Sequence, residues 1–199
     1  MRDTILETAR LLVLNGGIHA LSMRAIAREI GYSPAALYEY FPAKEDLCCA
    51  LYFEGAGGLA SRMRAALESL APDDGAETRL LALGNAYRVY ALEQPDLYLL
   101  AFGNSSADFS PDNEAMDKGN EAFDLLVAAA RSGVDEGTFI NLPAEAIALS
   151  CWASVHGFVM LEISGLIAHK LGSPSDSDTR VDDLFAASMW VLGAGFMRR

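Results

Sequence analysis

The chain has 199 residues, 52% of them hydrophobic and 21% charged, with 15 Lys and Arg against 27 Asp and Glu for a formal net charge of −12. This length and composition support one domain or two small ones around a proper core. They exclude a disordered chain, a collagen-like fibre and a disulfide-stapled miniprotein. The acidic excess excludes a general nucleic-acid coat protein, whose attraction to phosphate needs the opposite sign. It does not exclude a specific reader with a few aimed contacts, and the charge is unevenly spread. The first fifty residues carry five basic side chains and six acidic ones, so most of the negative charge lies beyond them.

In chain order, Ile5, Ala9, Leu12 and Val13 share one face of a first helix, about Arg2 to Asn15. Gly16-Gly17 ends it, where positive φ costs little. Ser22 suits the N-cap of a second helix, Met23 to Ile30, stopped by Gly31. Ser33 can cap a third helix with Pro34 at its first position, and Pro42 limits that helix to about two turns. Two short helices joined by a turn at Gly31-Tyr32 make a helix-turn-helix. The second helix of such a unit can lie in a DNA major groove with its N-terminal residues at base edges. Here those residues are Ser33, Pro34, Ala35 and Ala36, small enough for close backbone approach. Leu37 and Phe41 would face inward, and Tyr38 or Tyr40 would reach the exposed side.

A long helix should follow from Lys44 to about Leu70. Ala43 stands where a polar cap would, which forfeits about 1 kcal/mol of local helix stability. Gly55, Gly57 and Gly58 lie within this helix. They read either as close packing against a neighbouring helix or as a soft point that bends when a ligand binds. Loop signals at Ala71 to Gly75, Gly103 to Ser106, Gly137 to Pro143 and Gly172 to Asp176 separate further helical stretches. Sustained period-2 alternation is absent, so the fold class is all-α, with eight or nine helices. The division expected is residues 1–46 for the helix-turn-helix domain and 47–199 for a ligand-binding and dimerisation domain.

Ala146 to Ala168 is apolar enough to suggest a membrane span, but Glu162 and scattered serines and glycines favour a helix buried on all sides by protein. No membrane is expected. The helices about Pro143 to Leu171 and Asp178 to Met197 are apolar on more than one face, and small residues, among them Gly157, Ser164, Ala187 and Gly193, permit close helix approach. Two such pairs can form a twofold four-helix interface. Cys48, Cys49 and Cys151 have no metal-ligand spacing, and the opening residues lack a signal-peptide pattern, so a reduced, cytoplasmic protein is expected. No Gly-x-Ser-x-Gly, His-Glu-x-x-His or glycine-rich phosphate loop is present, and His19, His156 and His169 are the imidazoles available. No catalytic residue, metal ligand or cofactor is assigned.

The run from Leu21 to Leu47 closely resembles the DNA-binding signature of the tetracycline-repressor (TetR) family. It has Ser22 at the start of the second helix, then Ile26-Ala27, Gly31, Ser33, Tyr38, Phe41, Lys44 and Leu47 at the family's intervals. The resemblance implies that Ser22, Tyr38 and Lys44 contact phosphate. It also implies that Ser33 to Ala36, with Glu39 and Tyr40, form the variable reading surface, and Arg24 is counted among the candidate DNA contacts. Glu39 would repel phosphate unless it accepts a hydrogen bond from cytosine N4. Trp152 to Gly157 resembles the Trp-x-x-x-His-Gly element of one C-terminal subgroup of the family, and Asn85 to Tyr98 is similar to that subgroup as well.

Aromatics of the middle and late helices make a candidate ligand pocket: Tyr87, Tyr90, Tyr98, Phe102 and Phe123, with Trp152, His156 and Met160. The function expected is that of a homodimeric repressor released from a palindromic operator in double-stranded DNA by a small-molecule effector. A helical small-molecule carrier or scaffold without DNA binding is the alternative.

Overall fold

The computed structural model describes residues 1–103, 120–171 and 177–198. Among them are ten α-helices and no strand. They are α1 (Arg2–Gly16), α2 (Met23–Ile30), α3 (Pro34–Leu37), α4 (Lys44–Glu68), α5 (Ala76–Glu93), α6 (Pro95–Phe102), α7 (Glu121–Asp135), α8 (Ala144–Ile163), α9 (Leu166–Leu171) and α10 (Ser177–Phe196). A 3-10 turn, Ile18–Ala20, links α1 to α2. The loops expected beyond Gly103 and from Gly172 to Asp176 lie outside the described residues.

Two compact units are present, Met1–Gly58 with Gln94–Asn120 and Leu59–Glu93 with Glu121–Arg199. The division expected after residue 46 falls inside α4. Leu47, Cys48 and Leu51 belong to the core of the first unit, so the opening turns of α4 group with the helices before them.

In the first unit, Ile5, Ala9 and Val13 of α1 pack with Met23, Ile26 and Ala27 of α2, and with Leu37 and Phe41. Local chemistry sets the helix ends. The Ser22 hydroxyl accepts from the Ala25 N–H at 3.1 Å, and the Ser33 hydroxyl accepts from the Ala36 N–H at 3.3 Å. Gly31 takes φ 74°, a left-handed value that turns the chain sharply between α2 and α3. The start of α4 departs from expectation. Ala43 offers no side-chain cap, but the Asp46 carboxylate reaches back to accept from the Ala43 N–H at 2.9 Å, the returning half of a capping box. Further along α4, a Cβ on Gly55 would stand 2.7 Å from the Leu97 carbonyl oxygen and 3.1 Å from the Ala101 Cβ. Gly55 is thus a close-packing position between α4 and α6.

In the second unit, α5, α7 and α8 supply most of the core through Leu83, Tyr87, Leu126, Ala130, Ile147 and Val155. The end of α10 is tied to the loop after α7. The Ile140 N–H donates to the Phe196 carbonyl and the Arg198 N–H to the Thr138 carbonyl, each at 2.9 Å. Phe139 stacks edge-on against Phe196 at 5.0 Å, and α7 makes room for it with Gly133, where a Cβ would meet the Phe139 ring at 2.2 Å.

The single helix expected from Pro143 to Leu171 is instead α8 and α9. Gly165 takes φ 73° between them, and a left-handed residue cannot continue a right-handed helix. Nor is α8 buried on all sides. Its Leu149 is 54% and its Leu161 48% exposed, although the helix is long and apolar enough to cross a membrane.

Candidate functional site

Among the described residues, two places combine exposure with directed chemistry, one in each unit. The first is the outer face of the helix-turn-helix. Leu37 and Phe41 are buried four residues apart, so Ala35 and Glu39, also four apart, fall on the opposite side and are exposed. Ser33, Pro34, Tyr38 and Tyr40 are exposed beside them, and Ala36 is half-buried. Ser22 and Arg24 are exposed at the start of α2, and Lys44, half-buried, opens α4.

This face has a specific chemical inventory. Tyr38 and Tyr40 present hydroxyls at about half exposure, and the Ala35 methyl leaves space for a close neighbour. Glu39 is the anionic acceptor of the set, beside hydroxyls that can donate or accept. Arg2, which opens α1, is held over the Phe41 ring at 4.8 Å. Arg10 pairs with Glu7 at 3.1 Å and also with Glu54, and this joins α1 to α4.

The second place is a cavity of about 290 Å³ within the second unit. Leu80, Gly84 and Tyr87 of α5 and Trp152 and Val155 of α8 form its inner wall, closed by Leu126 of α7. Met189, Trp190 and Phe196 of α10 form the opposite wall. Under this lining runs a chain of hydrogen bonds. The Trp152 indole N–H donates to the Tyr87 oxygen at 3.2 Å, and the Tyr87 hydroxyl lies 3.2 Å from His156 Nδ1. Trp152 and His156 are one helical turn apart on α8, so both reach the same phenol.

Burial lowers the His156 pKa below the ordinary histidine value, which favours the neutral ring beside the Tyr87 hydroxyl. A consequence for stability follows by linkage. The unfolded chain takes up a proton near the ordinary histidine value while the folded chain resists it. Stability should fall as pH drops through that value and stop falling on this account below the lowered one. His156→Gln should flatten this segment of a urea-denaturation series against pH.

Of the eight residues expected in a pocket, Tyr87 and Trp152 line the cavity. His156 bonds Tyr87 behind it, and Phe123 packs on the Trp152 ring at 5.7 Å. Tyr90 is buried on α5 and Met160 half-buried on α8, both outside the lining. Tyr98 and Phe102 belong to the first unit, where their rings pack together at 5.5 Å on α6. Aromatic content could not show which face each ring would take. The α10 wall escaped the sequence reading, although Trp190 is one of only two tryptophans in the chain. Among the described residues, no three His, Cys, Asp or Glu side chains gather where they could hold a metal ion.

Residues 5–51 match the family model for bacterial regulatory proteins of the tetR family, and residues 80–188 match the tetracyclin repressor-like C-terminal domain. The chain belongs to the TetR family. An HTH-type transcriptional regulator of Mycobacterium tuberculosis, Rv0681, is 27% identical over all of this chain and 82% of its own length. A solved structure of a protein of unknown function from Rhodococcus sp. RHA1 aligns with TM-score 0.81 and 28% identity, over 99% of this chain and 95% of that one. The TetR-family regulator PfmR of Thermus thermophilus shares the fold at TM-score 0.72 and 22% identity, over 98% of this chain and 99% of that one. As a TetR-family protein the chain is a helix-turn-helix transcriptional regulator and not an enzyme.

Proposed function

We propose that the chain acts in the cytoplasm as a homodimeric repressor. It would bind a palindromic operator and be released when a small molecule fills the cavity of the second unit. The observation that carries this reading is the brevity of α3, four helical residues with a small exposed face. One copy offers too few base contacts to hold a site, whereas two copies about 34–36 Å apart would meet successive major-groove faces of one duplex. The surface that would supply the second copy is uncovered. On α8, Leu149, Ala153, Gly157 and Leu161 are exposed at helical spacing, as are Leu184, Ala187 and Val191 on α10. Small residues in these stripes let two helix pairs approach closely.

In this reading Ser22, Tyr38 and Lys44 hold phosphates, with Arg24 beside them, while Ser33 to Ala36, Glu39 and Tyr40 face the bases. A ligand that favours another separation of the two reading helices weakens DNA binding through its differential affinity for the two states.

The test is a salt titration of binding to the DNA upstream of the protein's own gene. Wild-type affinity should fall steeply with salt. Lys44→Ala should weaken all sequences alike and make the salt slope shallower by about one unit. Ala35→Glu should abolish binding without changing the oligomeric state, because it sets a second carboxylate beside Glu39 on the reading face. Glu39 and the acidic balance favour the alternative, a helical carrier. An absence of DNA binding at every salt concentration would overturn the repressor reading and favour that carrier instead.

A further inference from the structure

We infer that the cavity of the second unit takes an uncharged, largely apolar molecule about the size of two fused six-membered rings, entering between α5 and α10. The inference rests on the effector reading above only for its consequence at DNA. The occupant itself is argued from the cavity. A cavity of about 150 Å³ lined by aliphatic and aromatic groups takes up benzene. The cavity here, about 290 Å³, is close to twice that.

The lining selects against charge. Among the described residues, no Lys or Arg borders the cavity. An anion would leave water for a wall of Leu80, Val155, Met189 and Phe196 without a partner, at a cost no contact there offsets. The thiol of Cys151, also in the wall, is pushed up to about 11 by burial and so stays protonated and neutral. The charged group bordering the cavity is Glu77, which is exposed at the rim. It opposes an anion, and water screens it too well for it to hold a buried cation. Asn85, exposed on the same edge of α5, provides an amide for a hydroxyl or carbonyl on the entering molecule.

The entrance is marked by Leu81 on α5 and Trp190 on α10, which are 40% and 70% exposed. Both tryptophans of the chain, Trp152 and Trp190, border the cavity. Intrinsic fluorescence therefore reports on occupancy without a label.

The test compares three probes of one ring system at pH 7 by calorimetry and tryptophan emission: 2-naphthol, 2-naphthoate and 2-naphthylmethylammonium. The expected result is one 2-naphthol per chain, bound about a hundredfold or more tighter than either ion, with a change in tryptophan emission. Gly84→Leu should abolish this binding, since a side chain there projects toward Val155 and Met189 across the cavity. Ala186→Phe narrows the exposed rim of α10 without entering the core and should weaken binding even if Gly84→Leu fails to fold. Tighter binding of either ion, no binding of 2-naphthol, or full binding in Ala186→Phe would overturn the inference. Operator affinity is measured separately. If 2-naphthol binds as expected but leaves operator affinity unchanged, the cavity inference stands and the effector reading falls.

Discussion

Leu149→Glu combined with Leu161→Glu should convert the protein into a folded monomer and weaken operator binding by about a hundredfold or more, the range lost when two linked contacts become independent. Both side chains are about half exposed, so the substitutions remove little from the core of one chain, and helicity by circular dichroism should be unchanged. In a dimer, by contrast, four carboxylates per pair would be forced into an apolar, close-packed seam without cations, a costly burial. Sedimentation equilibrium gives the mass directly. A variant that remains a dimer would mean that the pairing surface lies elsewhere, and with it the spacing of the reading helices. Gly157→Ala is a finer probe of the same seam. Within one chain nothing lies within 4 Å of the added Cβ, and alanine favours a helix by about 0.8–1.0 kcal/mol. A loss of dimer affinity there would come from the partner.

The parts of the fold legible in the sequence are those fixed by local chemistry. Ser22, Gly31, Ser33 and Pro34 dictate where α2 begins and ends and where α3 begins, through bonds to atoms within a few residues. The structure places those ends as expected, whereas α3 stops at Leu37, after about one turn instead of the two expected from Pro42. The Asp46 cap is also local, since Asp three residues after Ala43 is half of a capping box, but a missing polar side chain at Ala43 carries no sign of that returning bond. Gly165 is the reverse case. A glycine inside an apolar run reads as a close-packing residue or as a break, and only its φ of 73° decides. The cavity wall from α10 could not be read at all. That helix is apolar around much of its surface, and periodicity carries no information about which stripe meets core, cavity or a second chain when all three are apolar. The aromatics of α6 lie outside this cavity, and composition does not say so, since it registers a ring and not its neighbours.

Arg88→Met should destabilise the second unit by about 3 kcal/mol, and adding Glu162→Leu should restore most of the loss. Arg88 on α5 makes a two-pronged pair with Glu162 of α8, at 2.7 and 2.6 Å, and a third contact with Asp182 of α10 at 2.7 Å. Its guanidinium also lies over the Phe185 ring at 5.0 Å. The hydrogen bonds that Arg88 donates to Glu162 raise the Arg88 pKa further, outweighing desolvation, so the cation persists at any pH the fold survives. Arg88 and Glu162 are only 13% and 15% exposed, whereas Asp182 is 65% exposed and contributes little against water. Removing the cation leaves the Glu162 carboxylate largely buried without its partner, and that stranded charge causes most of the loss. Replacing both members with apolar groups of similar length removes the stranded charge and keeps the packing. Urea denaturation of the two single variants and the double variant closes the cycle. If Arg88→Met costs no more than a surface ion pair, under about 1 kcal/mol, then apolar packing alone holds α5, α8 and α10 together.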